Sequence, residues 1–380
     1  MDDELHPALL PQGMRDLLPP DAAIEASVVE RIMTALAAHG YERVKPPMLE
    51  FEEGLLGGGG AAMASDTFRL MDPESHRMIG LRADMTMQIA RIATVRLVKA
   101  PRPLRLSYAG QVLRVRGTQL RPERQFGQIG AELIGSEAPE ADAEVVTLAA
   151  ETLGALGVAD ISVDLDVPTL VPGILEALGI AAASGPLRAA LDHKDAAAID
   201  AEGGAAAPLL KRLIATSGKA DRALAALRQI GLPPGPLAEV ERLAAIVARI
   251  RRDLPGLELT IDPVESRGFE YHCGMSFTIF AQGLRGELGR GGRYRAGRGG
   301  TTEAATGFTL YTDTVIRGVP PSPPMRRIYL PAGTGRAAGV ALREEGWVTV
   351  AALDGAAPEV EAVRLGCGHI YRDGAIRRLD

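Results

Sequence analysis

The sequence predicts an α+β fold, a mostly antiparallel sheet flanked by helices, with a helical insertion and a small α/β C-terminal piece. Three observations predict it. Leu104 to Arg114 and Arg124 to Gly135 are long alternating stretches separated only by a polar, arginine-bearing turn, which suits an antiparallel pair better than strict βαβ alternation. Helical patterns precede and follow that pair. From about Pro168 to Leu254 the composition shifts to alanine, leucine and scattered charge, with helical periodicity and almost no strand pattern.

Taken in order, Pro19-Pro20-Asp21 opens an amphipathic helix with Ile24, Val28, Ile32 and Leu36 at four-residue spacing, Asp21 as N-cap and Gly40 beyond its last turn. Tyr41 to Glu50 carries Val44 and two prolines and suits an edge strand or a bend. Gly57 to Gly60 reads as a flexible loop. Short strands at Phe68 to Met71 and Arg77 to Leu81 lead to a helix capped by Asp84 and running to about Val98. After the long pair, an acidic-started helix spans about Ala138 to Leu156. Ile161 to Asp166 and Leu257 to Asp262 alternate alike and bracket the insertion, so the chain is expected to leave the sheet and return to it. Met275, Phe277 and Ile279 alternate along a further strand, and a loop dense in glycine and arginine follows from Gly286. Pro320 to Pro324 reads as a linker. Beyond it, strand, helix, strand, helix and strand run through Ile328–Leu330, Ala337–Glu345, Val348–Leu353, Pro358–Leu365 and His369–Tyr371. A piece of about fifty-five residues rarely builds its own core and is expected to dock on the rest. The expected divisions are 1–167 and 255–319 for the core, 168–254 for the insertion and 325–380 for the C-terminal piece.

Composition narrows the function. With 46% hydrophobic and 24% charged residues, disordered and collagen-like chains are excluded, and no apolar run of ~20 residues could span a bilayer. The net charge of −6 gives no long-range attraction for nucleic acid or an anionic membrane. Cys273 and Cys367 form no CxxC pair, which leaves neither a disulfide framework nor a zinc knuckle. The acidic start Met1-Asp2-Asp3-Glu4 lacks a signal-peptide pattern, and a cytoplasmic location is expected. Histidines occur singly, without HExxH spacing, and GxxxxGK[ST] is absent. No metal or cofactor is expected.

The most informative stretch is Gln125 to Leu133. Strand alternation puts Gln128, Gly130 and Glu132 on one face, and a glycine between an amide and a carboxylate leaves room for a small ligand carrying an ammonium group. An exposed strand face is the bland alternative; flanking arginines and a central position favour a site. Arg114, Arg116, Arg121 and Arg124 could clamp a carboxylate or phosphate, or equally form a solvated surface. The glycine-arginine segment Gly286 to Arg298 lacks GxGxxG before a helix and fits a mobile hairpin tip as well as an anion site. Asp84 and Thr86 sit at a helix start, where capping alone explains both.

In order, these segments resemble the catalytic core of class II histidyl-tRNA synthetases over roughly residues 8 to 318. Pro11-Gln12-Gly13-Met14-Arg15-Asp16-Leu17-Leu18-Pro19 resembles their opening motif, and Gly40-Tyr41 through Pro47 resembles class II motif 1, which implies a dimer interface. Arg82 to Thr86 resembles the substrate-contacting Arg-Pro-Glu-Gly-Thr, with Asp84 for the glutamate. Gln128 and Glu132 match the pair that holds histidine, and Arg267-Gly268-Phe269-Glu270-Tyr271 matches the histidine-specific Arg-Gly-Leu-Asp-Tyr. The resemblance implies a class II aminoacyl-tRNA synthetase-like fold and histidine-binding residues Asp84, Thr86, Arg114, Gln128, Glu132, Arg267, Tyr271 and His272.

Departures from that pattern redirect the function. Motif 2 should read Phe-Arg-x-Glu, but Leu113-Arg114-Val115-Arg116 replaces the adenine-contacting acid with a base. Motif 3 should supply an arginine where Tyr311-Thr312-Asp313-Thr314 stands. Losing fixed charge stabilisation at an adenylyl centre typically costs orders of magnitude in rate. His272 replaces a tyrosine of the histidine pocket, and the C-terminal piece is too short for an anticodon-binding domain. A synthetase core altered in this way is similar to the regulatory subunits of ATP phosphoribosyltransferase. That resemblance implies a non-catalytic subunit that binds L-histidine, joins a short-form catalytic partner, and forms dimers within a hetero-octamer, without tRNA or membrane. A functioning amino-acid-activating enzyme and an empty interaction scaffold are the alternatives.

Overall fold

A computed structural model describes residues 9–118, 121–180, 182–265, 272–298, 301–321, 323, 325–353 and 357–379. The chain divides into a large unit ending at Pro320 and a small one starting at Pro321. Strands in the large unit are β1 (Glu42–Arg43), β2 (Leu49–Phe51), β3 (Arg69–Met71), β4 (Met78–Leu81), β5 (Leu104–Leu113), β6 (Gln125–Ile134), β7 (Ile161–Asp166), β8 (Gly218–Lys219), β9 (Glu258–Asp262), β10 (His272–Ala281), β11 (Gly289–Arg298) and β12 (Thr301–Tyr311). Among the described residues, nine of these form one sheet in the order β1-β5-β6-β12-β11-β10-β7-β9-β8, and β2-β4-β3 form a second. The central run from β5 to β7 is antiparallel throughout, and β1 and β9 pair in parallel with β5 and β7.

Period-two alternation gives the sheet two buried faces. Ile129, Ala131 and Leu133 of β6 pack with Val145, Val146 and Leu153 of the helix Pro139–Ala155 and with Val28, Ile32 and Leu36 of the helix Asp21–Ala38. On the other face Phe126 joins Tyr108, Tyr294 and Tyr311, covered by Met85 and Ile89. Between β7 and β9 the chain makes short helices and then the long helix Pro234–Asp253, which packs against Pro139–Ala155.

Several local expectations are corrected. Pro20, not Asp21, occupies the N-cap of the first helix, and Asp21 lies in its first turn, where it still faces the positive end of the helix dipole. Gly58–Met63 forms a 3-10 helix rather than a loop. The helix after Asp84 is Thr86–Arg91 followed by a short π-helix at Ile92–Arg96; Met85 holds its N-cap position, while the Asp84 carboxylate accepts from the Thr86 N–H at 2.7 Å. β8 and β12 were not apparent in the sequence, and the glycine-arginine segment is the central strand β11 instead of a hairpin tip. Its glycines serve close approach: a Cβ on Gly291 would lie 2.2 Å from the Gly307 carbonyl oxygen and 2.5 Å from the Phe277 ring.

The small unit has β13 (Arg327–Leu330), β14 (Val348–Ala351), β15 (His369–Arg372) and β16 (Ala375–Arg378) in the order β14-β13-β15-β16. β13 pairs in parallel with both neighbours, and β16, which the sequence reading lacks, closes an antiparallel hairpin with β15. Trp347 is buried with Ile328, Leu330 and Leu342. Among the described residues of the chain, no helix is long and apolar enough to cross a membrane.

Candidate functional site

Strand register assembles the site. On one face of the nine-stranded sheet, Glu132 of β6 stands beside Gly307 of β12, then Gly292 of β11, Ser276 of β10, Asp166 of β7 and Asp262 of β9. The two glycines leave a floor without side chains next to Glu132; a Cβ on Gly307 would lie 1.9 Å from Glu132 Oε2. A cavity opens above this floor, lined by Asp84, Thr86, Arg114, Glu132 and His272 together with residues of β11 and β12.

Glu132 is 1% exposed, so strand β6 does not carry an exposed polar face. Its Oε1 accepts from the Tyr108 hydroxyl at 3.2 Å, and its Oε2 accepts from the Tyr294 hydroxyl at 3.0 Å. Tyr108 Oη also lies 2.7 Å from Thr309 Oγ1 and 3.4 Å from Thr86 Oγ1. Burial pushes the Glu132 carboxyl up to about 8; the nearby Asp84 carboxylate adds to the rise, and the hydroxyl donors oppose it. Burial also drives the Tyr108 phenol well above its ordinary range, with the Glu132 and Asp84 charges acting in the same sense.

Gln128 acts differently from Glu132. Its Oε1 accepts from the Met85 N–H at 3.0 Å, and its Nε2 donates to Asp84 Oδ2 at 2.8 Å. Both ends of the amide therefore brace the turn that presents Asp84 and Thr86. Arg114 reaches the Ala83 carbonyl at 3.4 Å and lies 5.2 Å over the Phe126 ring. Arg267 and Tyr271 lie outside the described residues.

The other arginines of the expected cluster divide. Arg116 is exposed. Arg121 is buried, donates to Asp313 at 3.2 Å and to Thr314 Oγ1 at 3.4 Å, and stacks 3.6 Å from the Tyr311 ring centre. Arg124 donates to the Arg114 and Gln12 carbonyls. Arg121 is thus neither a free anion clamp nor a solvated charge. It fills the side of the site next to Tyr311. Tyr108, Tyr294, Gly307 and Thr309 are the site residues that sequence reasoning missed. Tyr108 could have been found by pairing β5 with β6, which sets it opposite Gly130.

The histidyl-tRNA synthetase family model matches residues 13–315. An ATP phosphoribosyltransferase regulatory subunit from Paramagnetospirillum magneticum is 59% identical over 97% of both chains, and one from Rhodospirillum centenum is 59% identical over 100% of this chain and 98% of its own. The chain belongs to the ATP phosphoribosyltransferase regulatory subunit family. Its fold is shared with a solved ATP phosphoribosyltransferase regulatory subunit/histidyl-tRNA synthetase from Bacillus halodurans, at a TM-score of 0.79 and 21% identity over 94% of this chain and 96% of the other. A histidyl-tRNA synthetase from Nostoc gives the same score at 17% identity over 97% and 91%. These two likenesses establish a class II synthetase-like fold for this family member.

Proposed function

We propose that this chain is the non-catalytic subunit that binds L-histidine in the Glu132 pocket and confers feedback inhibition on a short-form ATP phosphoribosyltransferase catalytic partner. That partner forms phosphoribosyl-ATP from ATP and phosphoribosyl pyrophosphate, the first step of histidine biosynthesis. The observation that carries the reading is the buried carboxyl of Glu132 above a floor of two glycines, with Asp84 at the same cavity: acidic groups suited to an amino acid's ammonium and ring N–H donors. Thr86, Arg114 and His272 complete the described wall, Gln128 holds Asp84 in place, and Arg267 and Tyr271 belong to the same ligand set. The side beside Tyr311, where a synthetase carries its motif 3, is filled by Arg121 and Asp313, which supports loss of adenylate chemistry. The subunit acts in the cytoplasm, without tRNA, as dimers within a hetero-octamer. Histidine must bind the active and inhibited assemblies unequally for feedback to have an energetic basis.

The test is co-purification with a short-form catalytic subunit, followed by phosphoribosyl-ATP assays with and without histidine for the wild type and Glu132→Ala. Association, activation and histidine inhibition that disappears in the variant are expected. Failure to associate, or unchanged inhibition in the variant, would count against the reading. Robust histidine-dependent ATP–pyrophosphate exchange by the purified chain would favour an amino-acid-activating enzyme instead.

A further inference from the structure

Glu132 has surroundings that do not suit a permanently ionised carboxylate. It is almost completely buried, and the donors that reach it are neutral hydroxyls, those of Tyr294 and Tyr108 with Thr86 beside them. Among the described residues, no lysine, arginine or histidine donates to it. The charged and titratable groups at the cavity, among the described residues, are Asp84 ahead of the helix Thr86–Arg91, Arg114 after β5, His272 on β10, Arg290 and Tyr294 on β11, and Tyr311 on β12, with Tyr108 behind Glu132 on β5. Arg290 pairs with Glu287 at 2.7 Å, and Arg114 lies against Phe126 and the Ala83 carbonyl. Among the described residues, the charge that acts on Glu132 is Asp84, and its sign is repulsive. Taking a carboxyl out of water beside a like charge favours its neutral form.

We propose that a cationic ligand entering this pocket displaces the Glu132 proton, so that binding releases one proton to solvent and tightens as pH rises. The inference rests on the reading of the pocket as a histidine site, because the incoming cation is then the amino acid's ammonium group. The Glu132 O–H bond breaks, its electron pair stays on the carboxylate, the ammonium keeps its own protons, and the released proton goes to buffer. The sign follows from which state holds the proton. The empty pocket holds it below about 8, the occupied pocket does not, and affinity therefore rises with pH up to about that value, beyond which the ligand's ammonium begins to lose its own proton. Between about pH 7 and about pH 8 the rise is about fivefold, in a range where the ligand's imidazole is already mostly neutral and its ammonium still mostly protonated.

Calorimetric titration of the full chain with L-histidine near pH 7, in buffers of contrasting ionisation enthalpy such as phosphate and Tris, measures the proton directly. Release of most of one proton per site is expected from the wild type, and Glu132→Gln should bind more weakly with no release. Binding without buffer dependence, or with proton uptake, overturns the inference while leaving the histidine reading intact. No binding at all by the wild type overturns the histidine reading and the inference together. Should Glu132→Gln fail to fold, the pH series of wild-type affinity decides: a rise between about pH 7 and about pH 8 supports the coupling, and a flat profile overturns it.

Discussion

Glu132 and Asp166 stand in one row across the sheet, both nearly inaccessible, and both carboxyls are raised far from the ordinary range, to about 8 and about 9. Their surroundings differ. Around Glu132 there are two hydroxyl donors, a glycine floor and open volume. Around Asp166, burial is the largest cause of the rise, followed by the like charges of Asp262, Glu265 and Asp164, with Lys194 opposing them. Lys194 is itself paired with Asp262 at 2.6 Å. Burial alone can hold a carboxyl neutral; a site also needs donors that aim it and space for a partner. The two acids of the row therefore separate a candidate ligand group from a structural acid, and substitutions can break that distinction.

The largest effect is expected from Glu132→Ala. Removing one member of a buried hydrogen-bonded charge pair typically costs about 2–5 kcal/mol, so histidine affinity should fall by at least about 30-fold in a calorimetric titration. Gly307→Ala should come next. Its new Cβ would collide with Glu132 Oε2 and approach the Ala131 carbonyl oxygen at 2.5 Å, so binding should drop about tenfold, alongside destabilisation of about 1–3 kcal/mol by denaturant unfolding. Gln128→Ala leaves Asp84 and the Met85 N–H without their brace, and a loss of about 1 kcal/mol in both ligand affinity and stability is expected. Equal affinity in that variant would show that the Asp84 turn needs no support.

Asp166→Asn should leave histidine affinity unchanged and act on stability alone. In the wild type the folded state keeps the Asp166 proton up to about 9 whereas the unfolded chain loses it near its ordinary value. Folded stability is therefore lost progressively as pH rises between those values, and an asparagine has no proton to lose. The advantage of the variant in thermal unfolding should be a few °C, larger near pH 8 than near pH 5. A change in ligand affinity would mean that the row works as one unit.

Legibility in the sequence followed the reach of each cue. The first helix and the pair β5 and β6 were readable because their periodicity is local, and the face of Glu132 followed from alternation alone. Asp84, Thr86, Arg267, Tyr271 and His272 became candidates through family motifs, since capping explained the first two as well. β11 escaped because glycine without a Cβ usually marks turns, and the reason for these glycines lies in contacts with Phe277 and Gly307 on neighbouring strands. Tyr294 was hidden with it. Arg121 was ambiguous because its partners Asp313 and Tyr311 are distant in the chain.

Trp347 is the only tryptophan of the 380 residues, and it lies in the small unit, 4.7 Å from the His369 ring and under the Arg326 guanidinium at 4.5 Å. Selective indole excitation thus gives an optical reporter confined to the last sixth of the chain, while Tyr41, Tyr108, Tyr294 and Tyr311 are buried in the large unit. Emission and far-ultraviolet dichroism followed through the same denaturant series will coincide only if both units melt cooperatively. Without any added label, the molecule carries its own means of timing the two apart.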